Sequence, residues 1–200
     1  MPQHDLMARL PSVLGTDDLP LAELCAARID GEVVPIDDGW APVDEPDLPG
    51  LRAAAVALRA PRVLVIERLS AAWVHGALPA PPSIAQFCVP RTARVAVFSA
   101  PRLVVREVVI AGADIIDYPS ARCTSPGRTG FDLLREAAAT DADPEPVVVE
   151  LCRMHPGLAS ELRTRLIDAV RMPHRSLALD RLGRVENELA AQPSLTRYTS

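Results

Sequence analysis

The residue types of a nucleophilic catalytic triad occur in this sequence as Ser70, His75 and Asp132. In such a triad the serine hydroxyl attacks the substrate, the histidine takes its proton, and the carboxylate orients the histidine. Ser70 lies in the stretch "RLSAAWVHG", which lacks the Gly-x-Ser-x-Gly turn that exposes the nucleophile of many hydrolases. Its position directly before an Ala-Ala-Trp run is instead typical of a helix N-cap. We therefore predict that these residues are structural and that the chain is not an enzyme.

The residues that follow Ser70 fit the same interpretation. Trp73 is expected in the core of the protein. His75 stands next to Gly76, and a glycine commonly ends a helix. A histidine near the C-terminus of a helix is favoured by the helix dipole. We therefore expect His75 to cap this helix.

Arg128 is the charged residue whose position most needs a partner. It follows Ser125 and Pro126 in "CTSPGRTGFDLLREA", where serine is a good N-cap and proline fits the first helical position. A cation in the first turn opposes the helix dipole. Three partners would offset this: Asp132 on the same helix face, the helix of residues 70–76 or the sheet beside it, and a phosphate at the helix N-terminus. Since a buried arginine is usually paired with a carboxylate or with backbone carbonyls, our hypothesis is a largely buried clamp that joins the two helices or the sheet.

The cysteines and the other histidines form no recognisable metal site. His155 and His174 stand alone, and the chain contains no Cys-x-x-Cys pair. The ligands of structural zinc recur at short, fixed spacings. We expect no metal, no cofactor and no disulfide, and mostly buried, reduced thiols as in the cytoplasm. The cysteines are Cys25, Cys88, Cys123 and Cys152.

All 21 basic residues are arginines, and the chain has no lysine. This composition excludes a phosphate-binding loop with its lysine, a Schiff-base lysine and nuclease sites that use a catalytic lysine. The sequence has no apolar run of about 18 residues that would span a membrane. Its N-terminus also lacks the basic flank and apolar run of a secretory signal. We expect a cytoplasmic protein without a membrane segment.

The net charge of −5 is unevenly distributed. Residues 1–50 carry two arginines and eleven acids, residues 51–135 carry eleven arginines and five acids, and residues 136–200 carry eight and ten. The three segments therefore have charges of −9, +6 and −2. This asymmetry indicates either an acidic module attached to a basic one or two faces that attract each other.

Residues 1–49 have the outline of a winged helix-turn-helix. Within residues 19–44, apolar residues first recur at helical spacing. Gly31 is then placed to end that helix, and a hairpin with an Asp-Asp-Gly turn follows. An earlier short helix is expected over residues 5–14. The small core of this module is predicted to contain Leu21, Leu24 and Trp40.

The remaining chain, residues 50–200, is predicted to be a second domain, which follows an acidic, proline-rich linker. Strands are predicted at residues 84–89, 94–98, 102–110 and 121–123, and their close spacing favours antiparallel pairing. Helices are predicted at residues 51–60, from about Ser70 to 75, and at 126–139, 145–155, 158–171 and 174–191. The fold class is therefore α+β: a winged-helix-like module, a small and mostly antiparallel sheet with packed helices, and a helical C-terminal tail.

Two motifs together resemble the AbiEi family of antitoxins from type IV toxin–antitoxin systems, especially its alanine- and arginine-rich members from high-GC bacteria. The motifs are Ser70-Ala71-Ala72-Trp73 with His75-Gly76, and Thr124-Ser125-Pro126 with Arg128-Thr129 and Asp132. The similarity covers about residues 10–140. It implies a winged-helix domain that binds operator DNA and a C-terminal domain that supports dimerisation, DNA contact or antitoxicity. It implies a cognate toxin as a partner, and it does not imply an enzyme. Gly130 stands where the family usually has an aliphatic helix residue.

Binding to an operator needs basic residues, because contacts to phosphates supply most of the non-specific affinity for duplex DNA. The winged-helix segment has only Arg9 and Arg28, and its turn carries Asp37 and Asp38. Two functions therefore stay open. One is a DNA-binding antitoxin and autoregulator that uses basic residues of the second domain, and the other is a protein-interaction module whose acidic winged helix meets a basic partner. The candidate DNA contacts are Arg9, Arg28, Arg52, Arg59, Arg62, Arg91 and Arg94.

Overall fold

The computed structural model describes residues 11–93, 101–136, 143–169 and 172–191. The helices in this part are α1 (Leu21–Ile29), α2 (Pro49–Ala57), α3 (Arg68–Val74), α4 (Pro126–Leu134), α5 (Glu145–Met154), α6 (Leu158–Asp168) and α7 (Arg175–Ala191). The strands are β1 (Val33–Ile36), β2 (Gly39–Pro42), β3 (Val65–Ile66), β4 (Ala85–Pro90), β5 (Leu103–Val108), β6 (Ile115–Asp117) and β7 (Arg122–Thr124). Strands and helices occur together in a hairpin and a larger sheet with helices packed on it, so the α+β class is confirmed.

The larger sheet has five strands in the order β5-β4-β3-β7-β6. β3 pairs antiparallel with β4, and β6 pairs antiparallel with β7. β3 with β7 and β4 with β5 are parallel pairs. The prediction of a mostly antiparallel sheet is therefore wrong. Parallel strands need a connection of about a dozen residues, and residues 91–102 between β4 and β5 provide that length.

One predicted strand lies outside the described residues, and one observed strand was not predicted. The predicted strand at residues 94–98 lies outside the described residues. Strand β6, which follows a single 3₁₀ turn at Gly112–Asp114, was not predicted from the sequence. It pairs with β7 over only three residues, and such a short run carries little periodic signal.

The hairpin of the N-terminal module forms as predicted. β1 and β2 pair antiparallel, and Gly31 after α1 has a φ of +78°, which glycine adopts without strain. Leu14 forms a β-bridge with Trp40. Leu24 is fully buried and packs with Leu14 and Trp40. The helix and the hairpin therefore share a small core.

Two details of this module differ from the prediction. Leu21 is 55% exposed and lies outside the small core, because α1 buries only Leu24. Residues 11–14 are not helical, since the backbone N–H and carbonyl of Leu14 are both bonded to Trp40, at 2.7 and 3.0 Å. The rest of the helix predicted at residues 5–14 lies outside the described residues.

Two large apolar clusters form the core. The first lies between α2, α3 and one face of the five-stranded sheet, and Val13 and Ala41 of the N-terminal module pack into it. The second lies among α4, α5, α6 and α7, which fall close to the four helices predicted for the second half of the chain. The predicted domain boundary falls at the start of α2, and the division into two domains stays a prediction.

Gly130 lets α4 pack closely against α6. A Cβ atom at Gly130 would lie 3.1 Å from Leu162 Cδ1, which is tighter than ordinary contact. Leu162 is fully buried. The space that an aliphatic side chain would fill on α4 is therefore taken by a leucine of α6.

Candidate functional site

The motif around Ser70 begins α3 but is capped differently from the prediction. Glu67 is the N-cap residue by position, so Ser70 lies inside the helix and its predicted capping role is wrong. Gln86 of β4 replaces it, since its side-chain oxygen accepts a hydrogen bond from the N–H of Leu69 at 2.9 Å. The Ser70 hydroxyl accepts from the N–H of Gln86 at 2.9 Å. The start of α3 is thereby fixed to the neighbouring strand.

His75 ends α3, as predicted. Its Nε2 lies 2.7 Å from the carbonyl oxygen of Thr124, at the end of β7. Its ring meets the His155 ring edge-on, with centroids 6.1 Å apart. Burial lowers the pKa of His75, although the Thr124 carbonyl opposes this effect. Trp73 is buried in the core as expected.

These contacts give the three triad-type residues separate structural roles. Ser70 is bonded to the backbone of β4, His75 to the carbonyl of the last residue of β7, and Asp132 to Arg128. A catalytic triad needs a hydrogen bond from the serine to the histidine and another from the histidine to the carboxylate. These three residues do not form those bonds.

Arg128 is buried, 7% exposed. Ser125 caps α4, because its Oγ accepts a hydrogen bond from the N–H of Arg128 at 3.2 Å. The guanidinium donates from Nε to Asp132 Oδ2 at 2.7 Å and from Nη1 to the Val109 carbonyl at 2.9 Å. Nη1 also lies 3.5 Å from Asp114 Oδ2. Of the expected partners, Arg128 contacts Asp132 and the segment after β5, and its role as a stabilising clamp stays a prediction.

Arg128 belongs to a chain of ion pairs that the sequence analysis missed. Glu67 is fully buried and accepts two hydrogen bonds from Arg106 of β5, both at 2.7 Å. Arg165 of α6 lies 2.6 Å from both oxygens of Asp114. Asp132 is shared, because Arg106 lies 3.8 Å from its Oδ2. The chain of pairs joins α3, β5, α4 and α6.

Burial sets the electrostatics of this chain. It raises the pKa of the Glu67 carboxyl, and the hydrogen bond from Arg106 opposes that effect. Burial also raises the pKa of the neighbouring Cys88 thiol far above its ordinary value, and Glu67 adds to this. Thiolates are the reactive form of cysteine. Cys88 is therefore an inert thiol.

The other cysteines differ in exposure. All four cysteines are free, and Cys25 is exposed. Burial raises the pKa of Cys152 to about 11. Among the described residues no group of three or more potential ligands could hold a metal ion. In the same part of the chain, no helix combines the length and the apolar character needed to cross a bilayer.

The predicted DNA contacts divide into paired and exposed arginines. Arg52 donates to both oxygens of Asp47, at 2.7 and 2.6 Å, and to the carbonyl of Trp73 at 3.0 Å. Its guanidinium also lies over the Trp73 ring, 5.6 Å from the centroid. The hydrogen bond from Arg52 keeps the pKa of Asp47 below its ordinary value. Arg52 therefore holds the end of α3, and its charge is already neutralised.

Arg59 is also used inside the protein. It forms ion pairs with Asp37 and Asp38 in the turn between β1 and β2, and only 8% of its side chain is exposed. Arg59 is thus unsuited to phosphate contact. The acids of the turn hold the β1–β2 hairpin against the segment that follows α2, which is a structural role that sequence analysis did not assign. Arg28, Arg62 and Arg91 are exposed, whereas Arg9 and Arg94 lie outside the described residues.

Helix α1, which precedes the β1–β2 hairpin, presents an open face. Leu21 and Ile29 are 55% and 85% exposed, and Cys25 between them is exposed as well. Arg28 is the basic residue of this helix. The face therefore combines apolar side chains with one cation.

The chain was compared with known families, curated proteins and solved structures. No family model and no curated protein matches the sequence. The fold is similar to the crystal structure of the RV2827C protein from Mycobacterium tuberculosis, with 19% sequence identity and a TM-score of 0.44. The matched region covers 92% of this chain and 78% of that chain.

Proposed function

We propose that this chain is an antitoxin-like regulator of the AbiEi type that acts in the cytoplasm by binding and not by catalysis. The observation that carries the proposal is the placement of α1 directly before the β1–β2 hairpin. Helix-turn-helix proteins place a helix in the major groove of DNA, and α1 is the helix that precedes the hairpin here. Here α1 is fixed from beneath by Leu24 and leaves its outer face open.

Operator DNA is the first candidate partner. Arg28 lies on the open helix, and Arg62 and Arg91 are exposed in the second domain. Exposed arginines are the residues that neutralise DNA phosphates. The binding surface is then α1 with these cations, while the wing turn is held by Arg59 and contributes little charge.

The test is a gel shift with the DNA upstream of the gene at two salt concentrations. We expect a complex whose affinity falls steeply with salt. Arg28→Ala should weaken binding and reduce the salt slope by about one. Arg163→Ala is the matched control, because Arg163 is equally charged and is paired with Glu186 on α7. A missing shift at low salt would exclude operator binding.

A basic protein, such as a cognate toxin, is the second candidate partner. It is favoured by the exposed Leu21 and Ile29 and by the charge of −9 over residues 1–50. Exposed apolar side chains within a charged surface are typical of protein contact sites. The partner would be the product of a neighbouring gene, and a nucleotidyltransferase-like toxin there would support the family assignment.

This candidate is tested by co-purification with the neighbouring gene product. We expect a stoichiometric complex on size exclusion that Ile29→Ser abolishes. Val109→Ser is the control, because Val109 is 76% exposed and belongs to the segment that contacts Arg128 of α4. A complex that survives Ile29→Ser would show that α1 is not the contact.

A further inference from the structure

The ion-pair chain contains more cations than its acids can neutralise. Arg106 is bonded to Glu67, Arg165 to Asp114 and Arg128 to Asp132. A further pair, Arg68 with Glu136, closes at 2.8 Å. The remaining cation of this cluster is Arg135, and its closest acid is Asp132, with Nη1 3.5 Å from Oδ1. Because Asp132 already accepts the shorter bond from Arg128, the cluster has one cation in excess among the described residues.

The end of helix α4 does not require this cation. Arg135 is the C-cap residue of α4, where a positive charge is favoured by the helix dipole. The carbonyls there are bonded to another arginine, since Arg181 Nη1 lies 3.0 Å from the Leu134 oxygen and 2.6 Å from the Glu136 oxygen. The Nε of Arg135 is buried and has no hydrogen-bond partner among the described residues. The position of Arg135 is therefore not explained by helix capping.

Arg135 is crowded by like charges. Burial and the nearby Arg128, Arg106 and Arg68 lower the pKa of its guanidinium, although Asp132 opposes them. A guanidinium remains protonated at neutral pH even so. An anion placed beside it would relieve this repulsion.

Arg106 lies close to Arg135 and has a donor to spare. Arg106 uses Nε and Nη2 on Glu67, which leaves its Nη1 without a partner among the described residues. Arg106 and Arg135 approach the two oxygens of the same Asp132 carboxylate. Arg135 and Arg165 both lie over the Phe131 ring, each 5.0 Å from its centroid. About a third of each of the three side chains is exposed.

We propose that Arg135, together with Arg106 beside the shared Asp132 carboxylate, forms an oxyanion site that takes a phosphate group. The planar fork of arginine matches the oxygens of a phosphate in two-point contact. The phosphate would be either free inorganic phosphate or a phosphodiester of nucleic acid. This site lies on α4 and is independent of the α1 surface.

The test is a titration of the full chain with inorganic phosphate at millimolar concentration, with chloride at equal ionic strength as reference. Calorimetry and thermal unfolding should show saturable binding to the wild type that chloride does not reproduce. Arg135→Gln should weaken phosphate binding about tenfold or more, since hydrogen bonds to charged groups are the strong ones. Arg135→Lys keeps the charge but loses the fork, so its affinity should lie between the two.

Arg163→Gln is the matched control, because Arg163 is a half-exposed arginine in a complete ion pair with Glu186. It should bind phosphate as the wild type does. Without phosphate, Arg135→Gln should melt at or above the wild-type temperature, because it removes the crowded charge. Equal phosphate affinity of Arg135→Gln and wild type would overturn the proposal, and so would a large loss of stability in Arg135→Gln without phosphate.

A competition experiment separates the two sources of phosphate. Duplex DNA of random sequence is added to the phosphate-loaded wild type. If DNA displaces the bound phosphate from the wild type, and Arg135→Gln also binds this DNA more weakly, the site takes a nucleic-acid phosphodiester. If the phosphate stays bound in the presence of DNA, the site takes a free anion. Failure of operator binding by α1 would leave both outcomes unchanged.

Discussion

Replacement of Arg128 by alanine should unfold the protein more easily, because it leaves a buried carboxylate without its main partner. Asp132 is 5% exposed, and its shortest hydrogen bond, at 2.7 Å, comes from Arg128. Breaking a buried ion pair by removing one partner costs about 3–5 kcal/mol. Two other cations remain within 4 Å of Asp132, Arg135 at 3.5 Å and Arg106 at 3.8 Å. The loss should therefore be near the lower end, about 3 kcal/mol.

The other contacts of Arg128 add little to this figure. The carbonyl that it binds belongs to Val109, whose side chain is 76% exposed, so water can replace the lost donor. Asp114 keeps both short bonds from Arg165. The predicted effect is thus concentrated on Asp132.

The assay is urea unfolding followed by far-UV circular dichroism. The slope m of the unfolding free energy against urea concentration should be the same in variant and wild type, which checks two-state behaviour. Arg128→Lys should not restore stability, because one ammonium cannot bind Asp132 and the Val109 carbonyl as the guanidinium does. Arg128→Ala combined with Asp132→Ala should lose less than the sum of the two single variants, since they share one interaction. Arg163→Ala, a surface pair 43% exposed on the arginine side, should change stability by about 1 kcal/mol or less.

The clamp would be refuted by an Arg128→Ala variant that loses less than about 1 kcal/mol, the level of an ordinary surface pair. An unchanged melt with loss of nucleic-acid binding would favour phosphate contact at the α4 N-terminus instead. Full rescue by lysine would show that charge alone, without the forked geometry, holds the clamp.

Three further predictions concern the hairpin, the buried histidine and the thiols. A Cβ at Gly39 would lie 2.9 Å from the Leu14 carbonyl oxygen, so Gly39→Ala should lower the free energy of unfolding by about 1–3 kcal/mol; an unchanged urea midpoint would contradict this. Because the folded pKa of His75 is lowered, the unfolded chain binds the extra proton as pH falls below about 6.5. Stability should therefore decrease from pH 7.5 toward pH 5.5, by at most about 1.4 kcal/mol per pH unit for this group. His75→Gln, which can still donate to the Thr124 carbonyl, should remove that component, and an identical pH profile in both proteins would contradict it. Thiol titration should count one fast group, Cys25, in the native protein and four after denaturation, whereas two or fewer in denaturant would reveal disulfides.

Local features of the sequence predicted most of what is local in the fold. Ser125 and Pro126 placed the start of α4 correctly, because capping depends on neighbours in the chain. The i, i+4 spacing of Arg128 and Asp132 likewise indicated their ion pair. Gly31 marked the end of α1, as its positive φ shows. In each case the deciding partner lies within a few residues.

Features that depend on distant partners were missed. Helix α3 starts before Ser70 because Gln86 and Arg106, on other strands, bind its first turn and Glu67. The parallel pairing of β4 and β5 depends on how the connection between them folds. A signal for Glu67 did exist, since an acid directly after the buried run "LVI" must find a cation or lose its charge.

The same reasoning explains the error at Leu21. Apolar residues at helical spacing indicate an amphipathic helix, but they do not show which side faces the core. α1 is in contact with the hairpin through Leu24, so Leu21 is left on the open side. An apolar residue on the outside of a short helix is then a candidate for a partner surface and not for the core.

The parallel pair of β3 and β7 determines when the protein can fold as it leaves the ribosome. β3 lies in the middle of the sheet, and its register joins Val65 to Arg122 and Ile66 to Cys123, more than fifty residues later in the chain. During synthesis, β3 can pair with β4 at once, but one of its two edges stays open until β7 has been translated. An open edge of a buried, apolar strand can pair with other chains. The nascent chain is therefore exposed to aggregation for the whole interval between β4 and β7. Slower translation within that interval should lower the soluble yield, whereas slower translation after β7 should not.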